Sequence, residues 1–331
     1  MTRKSHPKAS IVVPAFNVEV TIAETINALL AQTYTDFEIV IVDDGSSDLT
    51  KEIASDFCSD PRVRLICQPN RGLAGARNSG VAAAKGEYVG FCDADDLWHP
   101  TKLASHVIHL DRSPNVGLSF SGSALIDDDG KLTGHTQCPR LTNISRAYVF
   151  KRNPVGNGSA AVLRRSALDE IAFRPAHEKS RDWYFDETFR QSEDIECWLR
   201  LILTTDWDLE GVTGLLTRYR ISSGGLSAAT DRQFAAWERM VEKLTPLDPA
   251  FFKEQTPIAR AYQYRYLSRR AVSGLDAERA VNFTRRWIKS SRRPILEEPI
   301  KSLISIVAAY VLSVFGQHTL KRAEAFLVRT K

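Results

Sequence analysis

From residue 10 to about 120, short β-branched runs alternate with stretches of helical period: SIVVPAF, VTIAETINALLAQ, FEIVIVDDG, LTKEIASDF, VRLICQ, GLAGARNSGVAAAKG and YVGFCDADD. Strands that read as nearly continuous apolar runs are covered on both faces. The pattern therefore predicts repeated βαβ units and an α/β fold, a mostly parallel sheet flanked by helices. Ligands of such sheets bind beyond the C-terminal strand ends, where the loops converge. Three of those ends read PAFN, VDDGSSD and DADD.

Further along the pattern changes. VGLSFSGSALIDDDGKL reads as a strand entering an Asp-Asp-Gly turn, GSAAVLRR as another strand, and EDIECWLRLILTT as an amphipathic helix, so this portion is mixed rather than parallel. After SGGLS the periodicity is almost wholly helical, with breaks expected at about 246 to 257 and 294 to 299. The expected organisation is a domain over 1–228, with halves at about 9–120 and 121–228, followed by a helical region over 229–331. There is no internal repeat and no low-complexity segment.

Bulk properties narrow the class. A chain of 331 residues with 43% apolar and 25% charged residues has the composition of a globular protein and is long enough to bury a real core. The five cysteines are scattered and never spaced CxxC, which argues against a disulfide framework or a zinc site and for a reducing compartment. A basic N-terminus followed by only a strand-length apolar run predicts no signal peptide. The net charge of +4 is too small to argue by itself for nucleic acid.

The acids at the strand ends need a reason. Asp93, Asp95 and Asp96 lie within four positions, directly behind YVGF, and like charges so placed repel. GxGxxG and GxxxxGK[ST] are both missing after the first strand, so no glycine loop holds a nucleotide's phosphates there. A divalent cation between carboxylates and a diphosphate resolves the repulsion, and oxygen ligands suit Mg²⁺ or Mn²⁺. If residues 93 to 95 stay extended, Asp93 and Asp95 point to one side and can share the ion, with Asp96 out of phase. The competing reading is a solvated acidic turn that caps a helix near Pro100. In VDDGSSD, Ser47 or Asp48 suits an N-cap, while Asp44 suits either a turn or an acceptor for a base N–H.

Taken in order, PAFNVE (14–19), VDDGSSD (42–48), NRGLAGARNSG (70–80), DADDLWHP (93–100) and SEDIECWLRL (192–201) resemble the motifs of family 2 glycosyltransferases of the GT-A (Rossmann-like) fold. The resemblance covers roughly residues 9 to 225. It implies an inverting enzyme that moves a sugar from a nucleotide sugar, a UDP-sugar, to a glycan or lipid-linked acceptor in bacterial polysaccharide synthesis. It implies that Pro14, Ala15, Phe16, Glu19 and Asp44 hold uridine. Arg77 would approach the nucleotide, with Arg71 a second candidate, and Asp93, Ala94 and Asp95 form the DxD-type motif on the diphosphate, with Asp93 and Asp95 on the metal. Asp194 would be the general base with Glu193 beside it, and Arg220 in YRISSGGLS would close over the diphosphate. By itself, Asp194 could equally be a first-turn acid favoured by the helix dipole, and Trp198, four residues on, reads as core. A sugar nucleotidyltransferase shares this architecture but needs a glycine-rich basic loop after the first strand, which PAFNVEV lacks. A non-catalytic nucleotide-sugar-binding protein would keep Asp44 and Asp93 without needing Asp194.

The tail concentrates positive charge. Ten Lys and Arg lie between Arg260 and Arg293 against only Asp276 and Glu278, with Tyr262, Tyr264, Tyr266 and Trp287 interleaved. That pattern suits nucleic acid, an anionic membrane surface or a solvated helical face, and no nucleic-acid partner is expected. SLISIVAAYVLSVFG (302–316) falls short of the roughly 18–20 residues of a bilayer span. It suits a buried helix, a homodimer contact or peripheral attachment to the inner, cytoplasmic face of a membrane through 260–322, flanked by Lys301, Lys321 and Arg322.

Overall fold

The computed structural model describes residues 6–221 and 230–329. The chain divides into two compact units, one of Met1–Val149 with Asn153–Ala228, the other of Phe150–Arg152 with Ala229–Lys331. The segment 222–227 of YRISSGGLS and the expected boundary at 228 lie outside the described residues.

The first unit contains β1 (Ala9–Ala15), α1 (Ile22–Leu30), β2 (Phe37–Asp43), α2 (Thr50–Asp56), β3 (Val63–Cys67), α3 (Gly72–Ala83), β4 (Tyr88–Phe91), β5 (Leu97–Trp98), α4 (Lys102–Arg112), β6 (Val116–Ile126) and β7 (Leu132–Gln137). After α5 (Arg146–Lys151) come β8 (Ala161–Arg164), α6 (Arg165–Glu170), α7 (Glu193–Thr204) and β9 (Asp208–Arg220). One sheet runs β3-β2-β1-β4-β8-β6-β9-β5, with β7 paired to β6. β3, β2, β1 and β4 are parallel, as the apolar runs predict, and β8 then joins β4 antiparallel. The rest is mixed: β6 is antiparallel to β8 and parallel to β9.

Alternation along each strand divides the core. Ile11, Val13, Ile39 and Ile41 meet Ile22, Ile26 and Leu29 of α1 on one face, whereas Val40 and Val42 meet Ala76 of α3 on the other. α3 is rich in small residues and comes very close to the sheet. A Cβ on Gly80 would lie 2.2 Å from Val12 Cγ1, so only glycine fits there. This contact sets how near Arg77, on the same helix, comes to the strand ends.

The second unit holds α8 (Thr230–Leu244), α9 (Pro249–Ser273), α10 (Ala277–Ser290), α11 (Arg293–Glu297) and α12 (Pro299–Arg329), the last interrupted at Gly316, where φ is 73°. Phe150 stacks on Trp237 and meets Phe252 edge-on. The break expected across 246–257 is shorter than predicted, because α9 begins at Pro249 and continues through Pro257. Its start is favoured by proline in the first turn and by Asp248, whose side chain accepts from Phe251 N–H. The helix then breaks at Gly274, where no break was expected.

In the first unit, Lys102 is wholly buried. Its Nζ donates to Thr217 Oγ1 (3.0 Å), Ala160 O (3.1 Å) and Ser121 Oγ (3.2 Å). Burial pushes this ammonium down to about 7. An unfolded chain restores the ordinary lysine value, so between about pH 7 and 10.5 the unfolded state binds more protons, and stability rises with pH across that window. Urea midpoints should therefore increase from pH 7 to 9.5 in the wild type, and Lys102→Met should flatten the rise. Equal slopes in the two proteins would contradict the assignment.

Candidate active site

The three strand ends at 14–16, 42–48 and 91–96 meet on one edge of the parallel half. Pro14 and Ala15 are buried, but Phe16 is 48% exposed and is free to offer an aromatic face. Asp44 is buried, and its carboxylate accepts from Gln68 Nε2 (2.6 Å), Arg71 N–H (2.9 Å) and Gly72 N–H (2.7 Å). It thus anchors the 68–72 loop and the first turn of α3, satisfying two backbone donors that a helix start leaves open. Glu19 has similar work: its Oε2 accepts Leu49 N–H (2.8 Å), while Glu19 N–H donates to Asp48 Oδ2 (3.1 Å). Asp48 also takes Thr50 N–H (3.0 Å), but the N-cap position of α2 is Leu49 rather than Ser47 or Asp48, so Asp48 supports the helix start from one residue further out. These bonds tie the loop after β1 to the start of α2.

At the end of β4 the backbone is a turn, not the extended run expected for residues 93 to 95. Asp96 N–H donates to Asp93 O at 3.0 Å. The turn forms because Asp96 is drawn inward: it accepts Ser159 Oγ–H (2.5 Å) and Arg220 N–H (2.8 Å) and is fully buried. Ser159 Oγ in turn accepts Asp93 N–H (2.9 Å), and the hydroxyls of Thr21 and Thr25 donate to Ala94 O (2.9 and 3.0 Å). Asp93 and Asp95 remain electrostatic neighbours. Burial, then the charge of Asp93, pushes the Asp95 carboxyl up to about 6.

α7 begins with the other acids. Ser192, directly before it, has φ of 62°, a left-handed conformation that costs a non-glycine residue on the order of 1 kcal/mol or more. Glu193 is buried and Asp194 half-buried, with Asp194 Oδ1 accepting Ile195 N–H at 2.8 Å. Burial pushes both carboxyls up, Glu193 to about 7, against the pull of Arg77. Arg77 donates from Nη1 to Glu193 Oε1 (2.5 Å) and from Nη2 to Asp93 Oδ1 (2.7 Å). The structure therefore brings Asp93, Glu193 and Asp194 around one guanidinium. Trp198 is core, edge-on to Phe185.

Two arginines do other work than expected. Arg220 is buried, and its Nε donates to Asp95 O (2.8 Å), Nη1 to Asp127 O and Asp128 O (2.9 Å each) and Nη2 to Glu24 Oε2 (2.8 Å). It bolts the 93–96 turn to α1 and to the β6–β7 turn, and four of its five N–H donors are in use. Arg71 pairs with Glu178 and with Glu187 Oε2 (2.9 Å). Sequence reasoning did not single out Thr21, Glu24, Thr25, Gln68 or Ser159. The only signal for the threonines is their i, i+4 spacing, with Thr21 at the N-cap of α1 and Thr25 one turn inside it.

Comparison with known proteins gives the family and the fold. The profile described as Glycosyl transferase family 2 matches residues 10–172. Over 222 residues the chain is 32% identical to the UDP-Glc:alpha-D-GlcNAc-diphosphoundecaprenol beta-1,3-glucosyltransferase WfaP of Escherichia coli, covering 66% of this chain and 79% of that protein. It is 52% identical to the uncharacterized glycosyltransferase EpsJ of Bacillus subtilis (strain 168) over 91 residues, which span 27% of this chain and 26% of that protein. Similar folds occur in S. aureus TarS 1–349, solved with UDP-GlcNAc (TM-score 0.59, 17% identity, 94% of this chain and 92% of that one). The mannosyltransferase PcManGT from Pyrobaculum calidifontis, solved with GDP-Man and Mn²⁺, is also similar (TM-score 0.55, 18% identity, 95% and 89%). The fold is GT-A, and the chain belongs to glycosyl transferase family 2.

The Asp44 geometry makes a stability prediction. Asp44→Ala leaves three donors of the 68–72 loop without their acceptor and should lower unfolding stability by about 2–3 kcal/mol, measured by urea denaturation. Asp44→Asn, which keeps one acceptor oxygen, should lose less.

Proposed function

We propose that this chain transfers a sugar, with inversion, from a UDP-sugar to a hydroxyl of a glycan or lipid-linked acceptor in bacterial polysaccharide synthesis. The observation that carries the reading is the meeting of Asp93, at a strand end, with Glu193 and Asp194, at a helix start, around Arg77, although they are far apart in the chain. The printed activity of WfaP, a UDP-glucose donor and a diphosphoundecaprenol-linked acceptor, supports the donor and acceptor classes.

Phe16, on the end of β1, offers a face for uracil. Asp44 acts chiefly by holding the 68–72 loop that flanks the base, and Glu19 by holding the start of α2. The residues at the β4 end fit a divalent cation. Their donors are hard carboxylate oxygens, and the Asp95 carboxyl, raised first by burial and then by the charge of Asp93, would be favoured in its ionised form by a positive charge beside it. Among the described residues no three His, Cys, Asp or Glu side chains are arranged for an ion, so Asp93 and Asp95 would hold Mg²⁺ or Mn²⁺ together with the donor's phosphates. Bound there, the cation supplies charge to offset the leaving diphosphate. Asp194 accepts the proton of the acceptor hydroxyl as its oxygen bonds to the anomeric carbon and the bond from that carbon to the diphosphate breaks, releasing UDP. Its raised pKa makes it a better base than an exposed aspartate.

The second unit suits a membrane surface. On α12 the large apolar side chains of Leu303, Ile304, Val307, Val314 and Phe315 face outward, while Ser302, Ser305 and Ala309 face inward. This inverts the usual pattern of a soluble helix. The stretch Pro299–Gly316 is long and apolar enough to cross a membrane by length and composition, but exposed Arg285, Lys289, Arg292 and Arg293 just before it suit a helix lying in an anionic surface. Of the interleaved aromatics, Trp287 and Tyr262 are buried and Tyr264 packs against Phe234 and Phe283, which leaves Tyr266 alone of the four exposed and makes no aromatic platform for nucleic acid. We place the protein on the cytoplasmic face of the membrane, near a lipid-linked acceptor.

Three outcomes check these statements. With Mn²⁺ or Mg²⁺ and a panel of nucleotide sugars and acceptors, Asp194→Asn should lower turnover by ~10³-fold or more and keep UDP binding by calorimetry, whereas Asp95→Ala should weaken metal-dependent binding itself. A base must be ionised, so activity should fall as pH drops through the Asp194 pKa, and that acid limb should lie above the ordinary aspartate range. Vesicles of phosphatidylglycerol and phosphatidylcholine should sediment the protein at low salt, and Leu303→Glu with Val307→Glu should abolish this. If those variants instead split a dimer in analytical ultracentrifugation, the stripe is a contact between copies.

A further inference from the structure

Arg77 was expected to approach the nucleotide, and the geometry points elsewhere. Its side chain is 2% exposed, with Nη1 on Glu193 and Nη2 on Asp93. Its Nε is buried with no hydrogen-bond partner among the described residues. The guanidinium lies over the ring of Phe185, with Cζ 5.6 Å from the centroid. That ring meets Phe91 of β4 edge-on at 5.2 Å and Trp198 of α7 at 5.7 Å. The strand leading to Asp93 and the helix bearing Asp194 thus rest against one aromatic ring and one cation. The next residue on α3 holds the ring in place: Asn78 Oδ1 accepts Tyr184 N–H and Phe185 N–H (2.9 Å each), and Nδ2 donates to Phe185 O (2.8 Å). From the other side Gly158 presses close, since a Cβ there would lie 2.3 Å from Arg77 Nη2.

We propose that Arg77 is a positioning residue, a fork that fixes the strand-end carboxylate against the base-bearing helix without touching the donor. This rests on the glycosyl-transfer reading above. Three carboxylates crowd the site, so without a cation between them the start of α7 would be repelled from the end of β4. A planar guanidinium holds two acids at set directions, which a lysine ammonium, a point charge on a flexible stem, does not. The glycine at 158 is what leaves room for it.

The test uses Arg77→Lys and Gly158→Ala. The first keeps the charge and loses the fork, and the second keeps the arginine and displaces Nη2. Both should lower kcat, Arg77→Lys by ~10²-fold, as misplacement of about 1 Å does, while UDP affinity measured by calorimetry without metal stays within about threefold of wild type. A parallel loss of that metal-free UDP affinity would make Arg77 a nucleotide contact and overturn the proposal, as would unchanged kcat in both variants. A second readout needs no substrate. In metal-free protein, the melting-temperature shifts of Arg77→Lys and Glu193→Gln should be non-additive in the double variant, and additivity would refute the bridge. If the wild type released no nucleotide from any sugar nucleotide, the glycosyl-transfer reading would fall, while the melting cycle would still decide whether Arg77 joins the two elements.

Discussion

A buried guanidinium between two carboxylates is the constraint around which this site is organised. Removing a charge from water is expensive, and Arg77 is tolerable in the interior only because Asp93 and Glu193 each give it a short, directed partner. The same contact makes the acids tolerable to one another. Asp93 sits at the end of β4 and Glu193 in the first turn of α7, so the ion pairs also position two elements that the sheet ladder does not join directly. The close packing of Gly80 on Val12 and the small side chain at Gly158 are the steric conditions for the cation to reach both.

Arginine is used in the same way elsewhere in the unit. Arg220 collects backbone carbonyls from the 93–96 turn and the β6–β7 turn together with Glu24, and Arg200 pairs with Glu196 inside α7. In each case the planar fork satisfies several acceptors at once, which suits it to irregular loops where carbonyls lack ladder partners. Such loops converge at strand ends, so arginines in nucleotide-site motifs do architectural work there. The acids differ in their partners: Asp96 and Asp44 are consumed by protein donors, Asp93 accepts from Arg77, and burial raises the carboxyls of Asp95 and Asp194.

The second unit obeys a different rule. Its core is built from Trp287, Tyr262, Phe252 and the small inward side of α12, whose serines bond within the unit; Ser302 Oγ, for example, donates to Pro294 O at 2.6 Å and accepts from Arg265. Part of the basic charge that is conspicuous in the sequence is thereby taken into packing, as with Arg265 on Glu298 and Arg260 on Glu238. What remains outside is a basic stripe beside an apolar one.

Much was legible before any coordinates. The β-branched runs at 10–15, 37–43 and 88–91 specified a parallel sheet because buried strands must be apolar on both faces, and the acids behind them lie together on one edge of it. The motif residues at 93–95 and 193–194 were legible as a set because their chemistry requires carboxylates and their order matches a family. Which partner each side chain takes was decided only by the tertiary structure. Arg77, Arg220, Asp44 and Glu19 have the same residue types and motif positions whether they face a nucleotide or a loop, and no local pattern separates the two. The decision depends on distances across the fold: how closely α3 sits on β1, where the 93–96 turn bends, and which carbonyls fall within 3 Å of a guanidinium. Likewise the apolar run at 302–316 left a buried helix, a dimer contact and a membrane-surface helix all open, and only packing showed that Leu303, Ile304, Val307, Val314 and Phe315 face out.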